Sequence, residues 1–243
     1  MKSYFIENGI LYDYKGKTSQ PKIPNGVTEI GDCSFCNCIN ITSIKIPNSV
    51  TCICFSAFSG CYNLNSIEIP NSVNTICSMA FYGCYNLNSI EIPNSVTSIG
   101  SNAFAHCTRL KSVKIPKSVS FIGYNAFDHI RDVKTQYNEN GSLRAFKAFR
   151  RDWTCRDFQY KVGKSYHEVG IIRCCKNGFH ACTNPLNVFN YYNGNLNELR
   201  FAEVEMSGDL DFKFDKVVAS KIKIVRELTA SELADIYNSM EKF

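Results

Sequence analysis

The sequence predicts a β-rich solenoid with an N-terminal hairpin cap, followed by a small C-terminal α+β domain. Three observations point there. Isoleucine-proline recurs at Ile23-Pro24, Ile46-Pro47, Ile69-Pro70, Ile92-Pro93 and Ile115-Pro116, always 23 residues apart and without insertions, the mark of stacked repeats. The pattern stops at Asn138-Glu139-Asn140-Gly141-Ser142, a polar break that reads as a boundary. Beyond it, strand-like runs alternate with two capped helical segments. The expected organisation is a cap over 1–22, five repeats over 23–137, a linker over 138–142 and a domain over 143–243.

In the cap, FIENGILYDY sets Asn8-Gly9 between alternating arms, a strong short-range hairpin signal. A cap is needed because a first coil otherwise exposes its core and an unpaired strand edge. Within each repeat, Ile90-Glu91-Ile92 and its equivalents alternate as a strand. Proline then ends the pairing and Asn-Ser or Asn-Gly makes a turn. Val96 and Ile99 open the next edge, and Ala103-Phe104, Cys107 and Leu110 have the spacing of a short helical turn.

Equivalent positions define ladders: Phe35, Phe58, Phe81, Phe104 and Phe127; Ile30, Ile53, Ile76, Ile99 and Ile122; Cys38, Cys61, Cys84 and Cys107. Burying one such Ile or Phe contributes roughly 1.5–3 kcal/mol. Backbone ordering costs about 1–2 kcal/mol per residue, so one coil alone cannot fold and neighbours must stack.

The unit IPNSVTSIGSNAF, with its following Cys, Leu and Ser-Ile in register, resembles the bacterial-surface-antigen-like leucine-rich repeats of bacteria, phages and some protozoa. The resemblance covers Ile23 to Tyr137 and implies a right-handed leucine-rich-repeat solenoid used for protein or ligand contact rather than catalysis. Cys54 and Cys77 replace the glycine kept as Gly31, Gly100 and Gly123. In the fifth copy Ile130 and Gln136 replace the cysteine and the strand isoleucine, as in a capping coil. Between inward isoleucines sit Lys45, Glu68, Glu91 and Lys114, with Ser43, Ser66, Ser89 and Ser112 two residues before them. They form a narrow charged stripe, either a solvated sheet face or a partner-binding surface.

Composition narrows the setting. Among 243 residues no apolar run approaches the roughly 18 of a membrane span. The first residues lack the apolar core of a signal peptide, so the expectation is a cytoplasmic monomer. A net charge of +5 is too mild to make nucleic acid the main partner. The densest basic run, Arg144, Lys147, Arg150, Arg151 and Arg156, interleaves Phe146, Phe149 and Trp153. Such a run can grip single strands or simply be a solvated face around buried rings. Thirteen cysteines without an export signal are expected to be reduced thiols, those of the ladder filling tight interior corners. Cys33, Cys36 and Cys38 are close in sequence, but Cys38 belongs to the ladder and is expected to point inward.

In the last segment, KAF, FQYKV and IIRCC read as short strands. Asn184-Pro185 opens a helix, Arg200 to Met206 and Lys216 to Val225 alternate as strands, and Thr229-Ala230-Ser231-Glu232 is a capping box. Leu233, Ile236, Tyr237 and Met240 form the buried stripe of the final helix. KAFRRDWTCRDFQYKVGKSY, CCKNGFHACTNPLNVFNYY, RFAEVE and KVVASKIKIVREL together resemble an uncharacterised domain family carried by phages and bacteria, often after repeats.

Two chemistries are written there. Cys155, Cys174, Cys175, His180 and Cys182 supply soft ligands for zinc, though no CxxC pair is present. Gly178-Phe179-His180-Ala181-Cys182, followed by a helix ending near Tyr191-Tyr192, resembles the strand-and-helix motif of ADP-ribosyltransferase-like folds. That resemblance implies NAD in a cleft, with His180 in the motif strand and a late glutamate drawn from Glu203, Glu205 or Glu227. Lys147 or Arg144 would stand in for the first-strand Arg or His. The leading expectation is a protein-interaction module without cofactor. The alternative is an effector whose repeats select a target and whose last domain modifies it using NAD.

Overall fold

The structure is a computed structural model, and it describes residues 3–128, 136–170, 178–192, 194–213 and 216–240. The chain divides into two compact units, 1–131 and 132–243. The division falls before the expected linker. Residues 138–142 are a turn of the second unit, in which Asn138 N–H donates to Ser142 O and Arg144 N–H to Gln136 O.

The first unit opens with the expected hairpin, β1 (Tyr4–Glu7) against β2 (Ile10–Tyr14). Asn8 and Gly9 have φ of 49° and 80°, the paired positive angles that match a hairpin turn to strand twist. A parallel ladder then runs from β2 through β3 (Glu29–Ile30), β5 (Cys52–Ile53), β7 (Thr75–Ile76), β9 (Ser98–Ile99) and β11 (Phe121–Ile122). The second face carries β4 (Ser43–Lys45) beside β6 (Ser66–Glu68), and β8 (Ser89–Glu91) beside β10 (Ser112–Lys114). These four strands pair in twos. The break lies between the coils of Glu68 and Glu91.

The third side differs from expectation. The Ala103 to Leu110 region and its equivalents form successive turns, not a helical turn. Alternate N–H groups bond within and between coils. Ser34 and Cys36 donate to the carbonyls three residues back, while Cys33, Phe35 and Asn37 donate to Phe55, Ala57 and Ser59 of the next coil. A helix would spend all these donors internally. The alternation requires left-handed residues at Cys33, Ser56, Met79, Asn102 and Asn125 (φ 52–59°). Each costs roughly 1–2 kcal/mol, offset by coil-to-coil hydrogen bonds.

The ladders stack as their register demands. Phe35, Phe58, Phe81, Phe104 and Phe127 lie 5.0, 5.4, 5.2 and 5.5 Å apart. All five are fully buried. The cap extends the stack: Tyr14 lies 5.1 Å from Phe35, and Tyr4 5.1 Å from Tyr14. Leu11 pairs with Ile30, so β2 acts as a degenerate first coil. The Cys61, Cys84 and Cys107 thiols donate to Phe35, Phe58 and Phe81 carbonyls at 3.1–3.3 Å. They are buried structural donors. Burial pushes Cys107 up to about 12.

The second unit is mostly sheet. Strand β12 (Leu143–Arg150) lies between β16 (Phe179–Cys182) and the long β18 (Leu199–Lys213). The long β19 (Lys216–Leu228) pairs with β16, with β18 and with β15 (Ser165–His167), so the ladder closes on itself. Two short pairs of elements complete it: β13 (Thr154–Cys155) against β14 (Phe158–Gln159), and β17 (Gly194–Asn195) before a 3-10 turn. FQYKV thus contributes only a two-residue strand, and IIRCC lies outside the described residues.

The Asn184-Pro185 segment is a six-residue 3-10 helix, Pro185–Asn190, buried throughout rather than on one face. Asn184 accepts from Leu186 N–H at 3.0 Å. The final helix α1 (Ala230–Ser239) has both halves of its capping box, with Thr229 and Glu232 exchanging hydrogen bonds. It buries Leu233, Ala234 and Tyr237, with Met240 buried just past its end and Ile236 half-buried. The core joins Ala145 and Phe149 of β12, Val204 and Met206 of β18, and Val217 and Ile222 of β19.

Candidate functional site

Two surfaces bring together residues singled out from the sequence, one in each unit. In the repeats, a groove of about 1070 Å³ runs over the second face. Its walls include Ser43, Lys45, Ser66, Glu68, Ser89, Glu91 and Lys114, the stripe read from register. Ser112 keeps its place through backbone pairing with Ser89. Proline after each strand turns the chain there, adding Asn48, Asn71 and Asn94 to one edge. Lys114 and Glu91 pair at 2.8 Å while remaining well exposed, so the pair contributes at most about 1 kcal/mol.

In the second unit, a cavity of about 540 Å³ is centred on β12 and β16. Leu143, Ala145, Lys147 and Phe149 alternate toward the core face of β12. Alternation therefore places a lysine among apolar neighbours, with 5% of its surface exposed. Lys147 Nζ donates to the His180 carbonyl at 2.8 Å and lies 5.6 and 5.9 Å from the Phe149 and Tyr160 ring centres. Burial holds its pKa below the ordinary lysine value, opposed in part by the neighbouring Cys155 thiol. His180 is also held below its ordinary value, first by burial and then by Lys147 and Arg156. Tyr192 O–H and the Cys155 thiol hydrogen bond at 3.1 Å, and Lys216 Nζ sits 3.7 Å over the Tyr191 ring.

The residues expected to carry NAD chemistry are not brought together. His180 lines the cavity, but Glu203, Glu205 and Glu227 do not. Glu203 accepts from Arg144 Nε at 2.7 Å and from Arg226 Nε at 3.0 Å. Glu205 pairs with Lys223 and Glu227 with Arg200. Successive strand alternation points Glu203 and Glu205 away from the Ala202, Val204 and Met206 core face, into cross-strand ion pairs. Arg144, one stand-in for the first-strand residue, is committed to Glu203.

Of the zinc candidates, Cys155, His180 and Cys182 do line one cavity, while Cys174 and Cys175 lie outside the described residues. Among the described residues no three His, Cys, Asp or Glu side chains converge with metal-binding geometry. In the repeats, Cys38 is half-buried and burial pushes it up to about 11.

Within the basic run Lys147, Arg150 and Arg156 reach the cavity together with the buried Phe146, while the Phe149 ring joins the core. Interleaving thus served the core as well as the site. A cluster of three sulfurs, Cys52, Cys54 and Cys77, escaped sequence reading. Cys54 and Cys77 occupy the repeat position held elsewhere by glycine, where a Cβ added to Gly100 would lie 2.3 Å from Ser78 N. There Cys52 Sγ lies 3.6 Å from Cys54 Sγ and 3.7 Å from Cys77 Sγ. Hydrogen bonds from the two neighbouring thiols favour a Cys77 thiolate and hold its pKa below the ordinary thiol value. Only the coil register brings these sulfurs together.

A model of the BspA type leucine rich repeat region matches residues 6–134 in six copies. The chain belongs to this family. The sixth copy reaches back into the cap, in keeping with Leu11 and Tyr14 occupying ladder positions. The leucine-rich repeats are followed by a match to a domain of unknown function (DUF7666) over residues 143–236. Among solved structures, a leucine-rich-repeat protein of T. pallidum is 31% identical with a TM-score of 0.50, the match covering 53% of this chain and 65% of that one. A leucine-rich-repeat protein from Bacteroides ovatus is 33% identical with a TM-score of 0.46, over 52% and 37% of the two chains. The chain therefore spans less than two thirds of either solved protein. No curated protein matches it.

Proposed function

We propose that the repeat unit is a protein-contact module whose partner lies along the groove of the second face. The observation that carries this reading is the gathering of charges of both signs and small serines into one groove. The rigid spacing of the coils supports it, because side chains on paired short strands are held in place before binding. The order Lys45, Glu68, Glu91, Lys114 favours a partner segment of the complementary order, acidic at both ends and basic in the middle. The second unit supplies a separate ligand site. A reducing, cytoplasmic setting goes with the reading, given the many free thiols. Among the described residues no helix is long and apolar enough to cross a membrane.

The test reverses all four charges, as Lys45→Glu, Glu68→Lys, Glu91→Lys and Lys114→Glu together. These side chains are exposed, so the fold should be retained, which circular dichroism checks. Partners captured by the wild-type repeats should be lost from the variant. An unchanged set of partners, on a folded variant, removes the groove as the contact surface.

A further inference from the structure

The cavity of the second unit contains a charge that the repeat-contact reading does not use. We propose that the cleft around Lys147 binds a small phosphate-bearing anion. Lys147 is buried, and its partners are a carbonyl, two ring faces and a thiol, with no carboxylate among them. A buried ammonium is ordinarily paired with an acid. Among the described residues no carboxylate balances it, and the ammonium faces a cavity.

The rest of the lining has the same sign. Arg150, Arg156, His180 and Lys216 border the cavity, and no Asp or Glu does so among the described residues. An adjoining cavity of about 310 Å³ shares Lys147, Arg156 and His180 and adds one carboxylate, Glu168. The mutual effect of these cations is already visible at His180, whose protonation is opposed by Lys147, Arg156 and Lys216. A bound anion reverses that repulsion.

Phosphate suits the donors better than a lone carboxylate. It offers more acceptor oxygens and up to two charges to a set that combines planar guanidinium forks with point-charge ammonium groups. A volume of about 540 Å³ lies within the range of small-molecule sites. Tyr191 and Tyr192 supply apolar wall for whatever carries the phosphate. A recessed ammonium also favours a small ligand over a polymer backbone, which exposed basic side chains would grip.

The probe is pyrophosphate, titrated calorimetrically into the full chain at constant ionic strength, with sodium chloride as the control. Wild type should show one saturable site. Lys147→Met should weaken it at least tenfold while leaving the circular dichroism spectrum unchanged. Arg150→Gln with Arg156→Gln, both exposed positions, should weaken it similarly and serves if Lys147→Met fails to fold. Lys221→Met, an exposed lysine of the same unit that does not line the cavity, should bind as wild type does. Absence of saturable binding overturns the proposal, as does equal affinity in Lys147→Met or in the double arginine variant. Binding of a single-stranded oligonucleotide that outcompetes pyrophosphate and ignores Lys147→Met assigns the basic run to nucleic acid instead, and also overturns it.

Discussion

The two units bury different things. The repeat core is neutral: aromatic rings, isoleucines and thiols, each repeated at the next coil. Among the described residues the one charged side chain that is buried is Lys147, in the second unit. A stack of identical layers gains from uniformity, because every layer offers its neighbour the same complementary surface. A buried charge cannot be repeated in that way without compounding its desolvation. The solenoid therefore presents its polar groups outward, as a surface, whereas the closed sheet can keep one inward, as a site.

The largest break in this contrast should come from Phe81→Ala, which removes a ring from the middle of the stack. A loss of about 3–5 kcal/mol is expected for the repeat unit. Trp153, the single tryptophan, packs on Phe149 in the second unit and reports on that unit alone. Denaturation should show an early transition by circular dichroism with the Trp153 signal unmoved.

Lys147→Met sharpens the contrast from the other side. Replacing a desolvated ammonium by an apolar chain of similar length should raise the stability of the second unit by about 1 kcal/mol or more, read by Trp153 fluorescence in urea. The same variant should bind anions less well. Stability and binding moving in opposite directions is what a residue retained for a ligand produces.

Smaller effects follow. Thr229→Ala removes the side-chain half of the α1 capping box, in which the Thr229 hydroxyl accepts from Glu232 N–H, and should cost about 1 kcal/mol in the second unit only. His180 gives a pH effect. Its folded pKa lies below the ordinary value of 6.5, so the folded state binds fewer protons than the unfolded state. Stability is then unaffected well above 6.5 and falls as pH drops below it, until the lowered folded pKa is passed. Urea midpoints at neutral and mildly acidic pH should show this loss, and His180→Gln should reduce it. Among the thiols, Cys77 should alkylate ahead of buried Cys61, Cys84 and Cys107, whose thiols donate to carbonyls and whose pKa values are raised. Peptide mapping after brief iodoacetamide treatment checks it.

The same division governs what could be read in advance. A period of fixed length makes ladders legible, since any residue at Phe58 must overlie its counterpart at Phe81. The register of the charged stripe was legible for that reason too. The alternating hydrogen bonds of the third side were not, because apolar spacing in successive turns imitates a helix. In the second unit, strands and the capping box of α1 announced themselves locally. The site did not. Lys147 sits in the alternation Leu143, Ala145, Lys147, Phe149, but the intervening Arg144, Phe146 and Ala148 are equally mixed, so the sequence does not say which face is inward. The cavity also joins residues as distant as Phe146 and Lys216, a closure that depends on β19 pairing with both β16 and β18. Glu203 and Glu205 were misleading because an acidic pair on a strand reads alike whether it faces a ligand or cross-strand arginines.

The account rests most directly on the separation of a neutral scaffold from a charged site. Thermal unfolding of the wild-type chain, followed by both circular dichroism and Trp153 fluorescence with and without saturating pyrophosphate at constant ionic strength, tests it. The account predicts that the anion raises the Trp153 transition and leaves the repeat transition where it was. A shift confined to the repeats, or an equal shift of both, would contradict it.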